Sequence, residues 1–228
     1  MTSPTRYFLP KGDADRADLA AFVRRARRID DSGVFRAKRR GDGLTGLWVR
    51  TGFDVLATRA VVAEAEPSDL VCDAATVEAS LASGAEKVDA GFALPAAWQG
   101  ALPPEAGFTH LDDVPARDVI ALSRKGAEVA RTSSGALGPA PSLLDQEVLD
   151  VTGDDGTSAR ISMRAVFALT AMGFVRDARG REISEDSALD AIDPAEPIRV
   201  RASSAWVRID ARFGAVYQRS AAMNLSVL

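Results

Sequence analysis

Cysteine and histidine each occur once in this chain of 228 residues, as Cys72 and His110. A single cysteine excludes an intrachain disulfide, a Cys-x-x-Cys redox pair and a multi-cysteine zinc site. Its setting, Leu70-Val71-Cys72, is that of a small buried hydrophobe rather than a nucleophile. With so few nitrogen and sulfur ligands no transition-metal centre is expected, and no D-x-[DN]-x-[DN]-G loop suggests calcium. Lysine is also scarce, at four of the 28 basic residues. Together with the abundance of alanine this points to GC-rich codon usage, so the mere presence of an arginine carries little weight. Long apolar runs are missing too: no stretch approaches the roughly 18 residues of a membrane helix, and no basic start leads into an apolar leader core. The expected location is the cytoplasm, with no membrane partner. The 11 prolines and 18 glycines are too few for a low-complexity chain.

What is present is ordinary globular material, 46% hydrophobic and 26% charged, long enough to bury a core without staples. The net charge of -4 disfavours non-specific binding to a polyanion by the whole chain. Its distribution is uneven. Residues 1–50 hold 12 basic against 6 acidic side chains, residues 51–200 hold 12 against 25, and residues 201–228 hold 4 against 1. Both ends are basic and the middle is acidic.

Hydrophobic spacing and turn residues predict an α+β fold: an N-terminal strand, a helix and an antiparallel meander, then helices and two further β-hairpins. Arg6–Leu9 is the first strand. Leu19, Phe22, Val23, Ala26 and Ile29 form the apolar stripe of a helix over 14–29, acidic at its start and basic at its end, as the helix dipole favours. Val34–Arg40, Thr45–Thr51 and Val55–Ala63 follow as a meander, the third run fitting strand or helix. Asp73 caps a short helix that Gly84 ends. A long helix fits Pro115–Arg131. Glu147–Thr152 and Thr157–Ile161 make one hairpin, and Ser162 caps a helix stopping at Gly173. Ile198–Ala202 and Ala205–Ala211 make the last hairpin, with Gly214 breaking the chain after it. Residues 1–228 are expected to form a single α+β module; a subdivision into 1–131 and 143–228 would fall at the Ser/Gly/Pro-rich segment 132–142.

Candidate chemistry is sparse. Gly41-Asp42-Gly43-Leu44-Thr45-Gly46 satisfies G-x-G-x-x-G, but the β-favouring Leu47-Trp48-Val49-Arg50 follows it where a dinucleotide site needs a helix. Asp42-Gly43 is a hairpin turn in its own right. His110, near Asp112 and Asp113, lacks a G-x-S-x-G nucleophile and reads as a loop-edge residue before a helix cap. The acids Glu185-Asp186 and Asp190 with Asp193 sit in polar loops, and no phosphate-binding G-x-x-x-x-G-K-[ST] occurs. No catalytic, metal or cofactor-binding residue is assigned, and no cofactor is expected.

Two arginine groups remain. Arg199, Arg201, Arg208 and Arg212 lie along the last hairpin with Trp206, Phe213 and Tyr217 interleaved, a composition of protein-interface centres. Period-2 alternation sets Arg199 and Arg201 on one face, and Trp206, Arg208, Asp210 and Arg212 on a face of the partner strand, with Val207 and Ile209 turned to the core. The competing reading is a solvated face on which Asp210 pairs with Arg208 or Arg212. The second group is Arg24, Arg25 and Arg28 on the first helix with Lys38, Arg39 and Arg40 on the following strand, a candidate phosphate-contacting surface. Helix-dipole complementarity and solvation explain much of it.

Two blocks, Trp98-Gln99-Gly100-Ala101-Leu102-Pro103-Pro104 with Val114-Pro115, and Trp206-Val207-Arg208-Ile209-Asp210-Ala211-Arg212-Phe213-Gly214, resemble an uncharacterised conserved protein family of high-GC actinobacteria. The resemblance implies no activity and no site. The first expectation for function is a non-enzymatic binding or protein-interaction protein, adaptor or regulatory, with an unidentified protein partner or self-association. The alternative is nucleic-acid binding through the basic N-terminal region, and the third is an enzyme without metal or nucleotide cofactor.

Overall fold

The computed structural model describes residues 5–29, 33–133 and 140–220. The chain divides into two compact units, Met1–Glu105 and Ala106–Leu228. Segment 132–142 lies within the second unit, and its residues 134–139 are outside the described residues.

In the first unit, β1 (Tyr7–Pro10) leads into α1 (Asp13–Ile29). There follow β2 (Val34–Arg39), β3 (Thr45–Arg50), β4 (Leu56–Val61), β5 (Ala63–Glu66) and β6 (Asp69–Asp73), then α2 (Ala74–Ala82) and β7 (Val88–Asp89). Strands β6, β2, β3 and β4 pair antiparallel in that order, and β5, β1 and β7 form a smaller antiparallel sheet. The α1 stripe is buried at Leu19, Phe22, Val23 and Ala26. Phe22 meets Phe35 of β2 edge-on at 6.1 Å, and Phe8 of β1 stacks on the same ring at 6.1 Å. Three aromatics thus join helix and both sheets in one core. The third run of the meander is a strand. Asp73 accepts from the Thr76 backbone N–H at 2.8 Å and the Thr76 hydroxyl at 2.7 Å, capping α2. Burial works to raise the Asp73 pKa, but the Thr76 hydrogen bonds outweigh it and hold the carboxyl below its ordinary value. Gly84, at φ 74°, ends the helix in the left-handed conformation.

In the second unit, β8 (Thr109–Pro115) precedes α3 (Ala116–Ser133) and the single turn α4 (Pro141–Leu144). The hairpin of β9 (Glu147–Thr152) and β10 (Ser158–Ser162) leads into α5 (Met163–Ala171). Then come β11 (Pro197–Ala202), β12 (Trp206–Ala211) and β13 (Gly214–Arg219). Strands β8, β11, β12 and β13 pair antiparallel in that order. One face of this sheet buries Ile198, Val200, Val207, Ile209 and Val216. A small cavity between that face and Val119 of α3 and Val166 and Leu169 of α5 has an entirely apolar side-chain lining, so it offers nothing to orient a polar substrate. Helices α3 and α5 meet closely at Gly126, where a Cβ would lie 2.7 Å from the Met163 thioether.

Three details depart from the sequence expectation. Pro115 ends a strand instead of opening the helix, because β8 consumes the residues expected to cap it. Ser162 stands at the N-cap of α5 without capping it; its N–H and hydroxyl both donate to Gln218 Oε1 at 3.1 Å. Gly214 begins strand β13. The polar stretch 176–196 is largely irregular. Arg117 donates to the Ile192 carbonyl, and Arg124 donates to the carbonyls of Ser184 at 2.8 Å and Ser187 at 2.6 Å, fastening the stretch to α3.

Candidate interaction surface

Alternation along β11 and β12 separates two chemistries. Val207 and Ile209, each 3% exposed, point to the core with Val200. Arg199, Arg201, Trp206, Arg208 and Asp210 take the other face. Antiparallel register then builds rows across the strands: His110, Arg201, Arg208 and Tyr217 stand opposite one another in β8, β11, β12 and β13. Arg199 stands between Asp113 and Asp210 in the next row, and Trp206 faces Arg219 on the far side of the first. Directly opposed residues in an antiparallel pair share a face and touch.

Asp210 is the electrostatic centre. Arg201 Nη1 donates to its Oδ2 at 2.6 Å, and Arg208 donates to Oδ1 from Nε at 2.8 Å, with Nη2 at 2.7 Å. One carboxylate, 16% exposed, therefore holds two guanidiniums that would otherwise repel across the strands. The expected pairing of Asp210 with Arg208 is present. Arg199 approaches Asp113 at 3.7 Å, and Asp113 also lies 3.7 Å from His110 Nε2. The aromatics sit beneath cations: Arg219 lies 4.0 Å from the Trp206 ring centroid and Arg208 5.6 Å from that of Tyr217. Both rings are nearly covered, and each meets another ring edge-on, Trp206 against Tyr217 and Phe108 against Tyr217.

The structure thus brings Arg199, Arg201, Trp206 and Arg208 onto one face and leaves Arg212 off it. Arg212 occupies the two-residue turn between β12 and β13, beside Glu196 at 3.8 Å and over Phe213. His110 belongs to the face as a strand residue, not a loop-edge one. Sequence reasoning named Tyr217 among the interleaved aromatics and missed Arg219 and Phe108. The alternation of Ala215, Tyr217 and Arg219 was an available signal, masked by treating Gly214 as a break.

The N-terminal basic residues are not gathered in this way. Arg25 is buried, at 9% exposure, while Arg24 and Arg28 lie exposed on α1. Phe35 and Ala37 of β2 face α1, so Lys38 points to the opposite side of that sheet. Arg39 is exposed at the strand end, and Arg40 pairs with Asp42 at 2.8 Å in the turn. Nearby, Arg36 makes a two-pronged contact with Asp69 at 2.8 and 2.7 Å. That hydrogen bond, opposed by burial, holds the Asp69 carboxyl below its usual pKa. Gly41–Gly46 is a hairpin connection. Arg40 N–H donates to the Leu44 carbonyl at 2.8 Å, Gly43 takes φ 85°, and β3 starts at Thr45 where a nucleotide fold would start a helix. Cys72 is wholly buried on β6, and burial pushes its thiol up to about 12 against the partial opposition of Arg6. Among the described residues no cluster of three or more His, Cys, Asp or Glu could hold a metal ion. Among the same residues no helix is long and apolar enough to cross a membrane.

The fold resembles that of DNA polymerase sliding clamps. The sliding clamp from Bacillus subtilis superposes with a TM-score of 0.57 at 10% identity, covering 96% of this chain and 65% of that one. The beta chain of DNA polymerase III from Streptococcus pneumoniae TIGR4 gives 0.53 at 8% identity, over 97% of this chain and 66% of that one. Caulobacter crescentus pol III beta gives 0.50 at 11%, over 94% and 65%. The chain therefore spans about two thirds of the length of those proteins, and at such identities the likeness is one of fold. By sequence the chain belongs to the family described as Domain of unknown function (DUF8185), which matches residues 103–223. Residues 3–100 match a second, Domain of unknown function (DUF8010). The two matched ranges coincide closely with the two compact units. No curated protein matches the sequence.

Proposed function

We propose that this chain is a non-enzymatic cytoplasmic adaptor or regulatory protein that docks a protein partner on the arginine-aromatic face of β8, β11, β12 and β13. The observation that carries the reading is the cross-strand row centred on Asp210, where Arg201 and Arg208 are held in place on a single carboxylate beside covered aromatic rings. Guanidiniums whose geometry is fixed before binding lose less entropy when a partner arrives, and arginine and aromatics dominate binding energy at interface centres. The shared fold supports the same reading. The solved structures that have it are named as sliding clamps and as a chain of DNA polymerase III, components of a larger assembly by their own names. An actinobacterial origin fits the arginine-rich, lysine-poor composition.

The test is affinity capture with the full chain and with Arg199→Glu and Arg219→Glu variants, both exposed positions, after circular dichroism has shown equal folding. A partner retained by the wild type and lost with both variants, and then binding the purified chain in a calorimeter, supports the reading. Equal capture by all three overturns it.

A further inference from the structure

Resting on that docking face, we infer that its partner presents an extended acidic segment with carboxylates two residues apart, one received by Arg208 with Arg201 and the other by Arg219. Four arginines (199, 201, 208 and 219) share the face with the carboxylates of Asp113 and Asp210. The face is therefore locally cationic in a chain of net charge -4. Among the described residues Asp210 is the one carboxylate with which Arg201 and Arg208 pair, and each guanidinium carries five N–H donors, so donors are left over for a second anion. Arg219 is exposed and stacked on Trp206, and no described carboxylate pairs with it. Trp206 faces Arg219 and Arg208 faces Tyr217, which makes Arg208 and Arg219 diagonal neighbours. Such neighbours are about 7–8 Å apart. Same-side residues of an extended chain repeat at roughly 6.5–7 Å, so alternate side chains of one peptide strand reach both arginines.

A polynucleotide fits less well. Trp206 is 8% and Tyr217 4% exposed, so neither ring offers a surface on which a base can stack. Exposed Asp113, opposite Arg199 on β8, would repel a continuous phosphate chain running across the rows, whereas a short peptide over Arg208 and Arg219 stops before reaching it.

The probes are a fluorescein-labelled peptide, Gly-Ser-Val-Glu-Val-Glu-Val-Ser-Gly, its twin with Gln for both Glu, and labelled twelve-nucleotide single-stranded and duplex DNA. Anisotropy is read with the full chain at 0.15 M salt. The Glu peptide should saturate and bind at least about tenfold more tightly than the Gln peptide. Arg219→Gln should weaken it about tenfold at unchanged melting temperature, while Arg24→Gln on α1 leaves it unchanged. Equal affinity for the Glu and Gln peptides, indifference to Arg219→Gln, or tighter saturable binding of DNA would overturn the inference. A protein partner lost with Arg199→Glu and Arg219→Glu yet not displaced by the Glu peptide would sink the acidic ligand and leave the docking face standing. Capture insensitive to those variants would sink the face itself.

Discussion

Replacing Asp210 should move stability and acidic-peptide affinity in opposite directions. The carboxylate takes charge-assisted hydrogen bonds from Arg201 at 2.6 Å and Arg208 at 2.8 Å. Each such bond is worth about 1.5–3 kcal/mol when one partner is removed in a buried setting. The full sum does not apply, because the Arg201 and Arg208 side chains are 30% and 21% exposed and recover water and rotamer freedom once released. Left unneutralised, the two cations face each other across β11 and β12, which adds a few tenths of a kcal/mol. The expected cost of Asp210→Ala is about 2 kcal/mol, or close to a 1 M fall in urea midpoint at a slope of about 2 kcal/mol per M. Because the chain has two compact units, the loss is best read by hydrogen exchange of peptides spanning β11 to β13 along the urea series. Arg208→Ala should cost less, about 1 kcal/mol, since Asp210 keeps Arg201, and the double variant should show coupling of about 1 kcal/mol. Asp210→Asn should bind the Glu peptide more tightly than wild type, with two guanidiniums freed for it. A change within 0.5 kcal/mol for Asp210→Ala would refute the claim that this carboxylate organises the face.

Asp73→Ala should destabilise the first unit by about 1 kcal/mol through loss of the α2 cap, measured by urea unfolding. Since the folded pKa of Asp73 is depressed, its contribution is complete above the unfolded value near 4 and disappears as pH falls through the lower folded value; the variant should lose that part of the acid limb. Gly214→Ala would set a Cβ 2.4 Å from the Phe174 ring and should cost more than about 2 kcal/mol, with partial rescue by Phe174→Leu in the same melting assay. With its thiol pushed up to about 12, Cys72 should hold a thiolate fraction of roughly 1 in 10,000 at pH 8 and react with a disulfide reagent only after unfolding; rapid labelling of native protein would contradict its burial.

Where a segment buries one clean stripe, the sequence was enough to place it. The α1 spacing, β2 and the β11–β12 hairpin each have an apolar side facing a core and a more polar side facing away, while β3 and β4, buried on both faces, were legible from their β-favouring runs between turns. Strands without such contrast were not legible. In β8 most side chains are exposed on both faces, so two aspartates and a proline looked like a helix cap. In β5 the buried positions are Ala63 and Ala65, and alanine carries little strand preference. In β13 the initial glycine is dictated by the Phe174 ring occupying the space of a side chain, a contact from 40 residues away that no local pattern announces. The arginine-aromatic face suffered the same loss. Its β11 and β12 residues were readable by alternation, whereas Arg219 joins it through the register of a strand that had not been placed and Phe108 through its ring contact with Tyr217.

Arginine in this chain serves two physical ends, and geometry separates them. Arg6 reaches the carbonyls of Gly91 and Val71, Arg117 that of Ile192, and Arg124 those of Ser184 and Ser187. A planar fork with five donors can bridge two carbonyls that a lysine ammonium, a point donor on a freer stem, would hold less rigidly. These residues fasten irregular backbone to helix or strand, with their donors turned inward. Arg36 and Arg40 are each matched by a carboxylate of their own, Asp69 and Asp42, which leaves little field outside the pair. On the β11 to β13 face neither condition holds: two arginines share one carboxylate and a third lies on an indole ring. Abundance of arginine follows from composition and says nothing about function. An excess of guanidinium over carboxylate, held rigid on one sheet face, is the feature that composition does not supply.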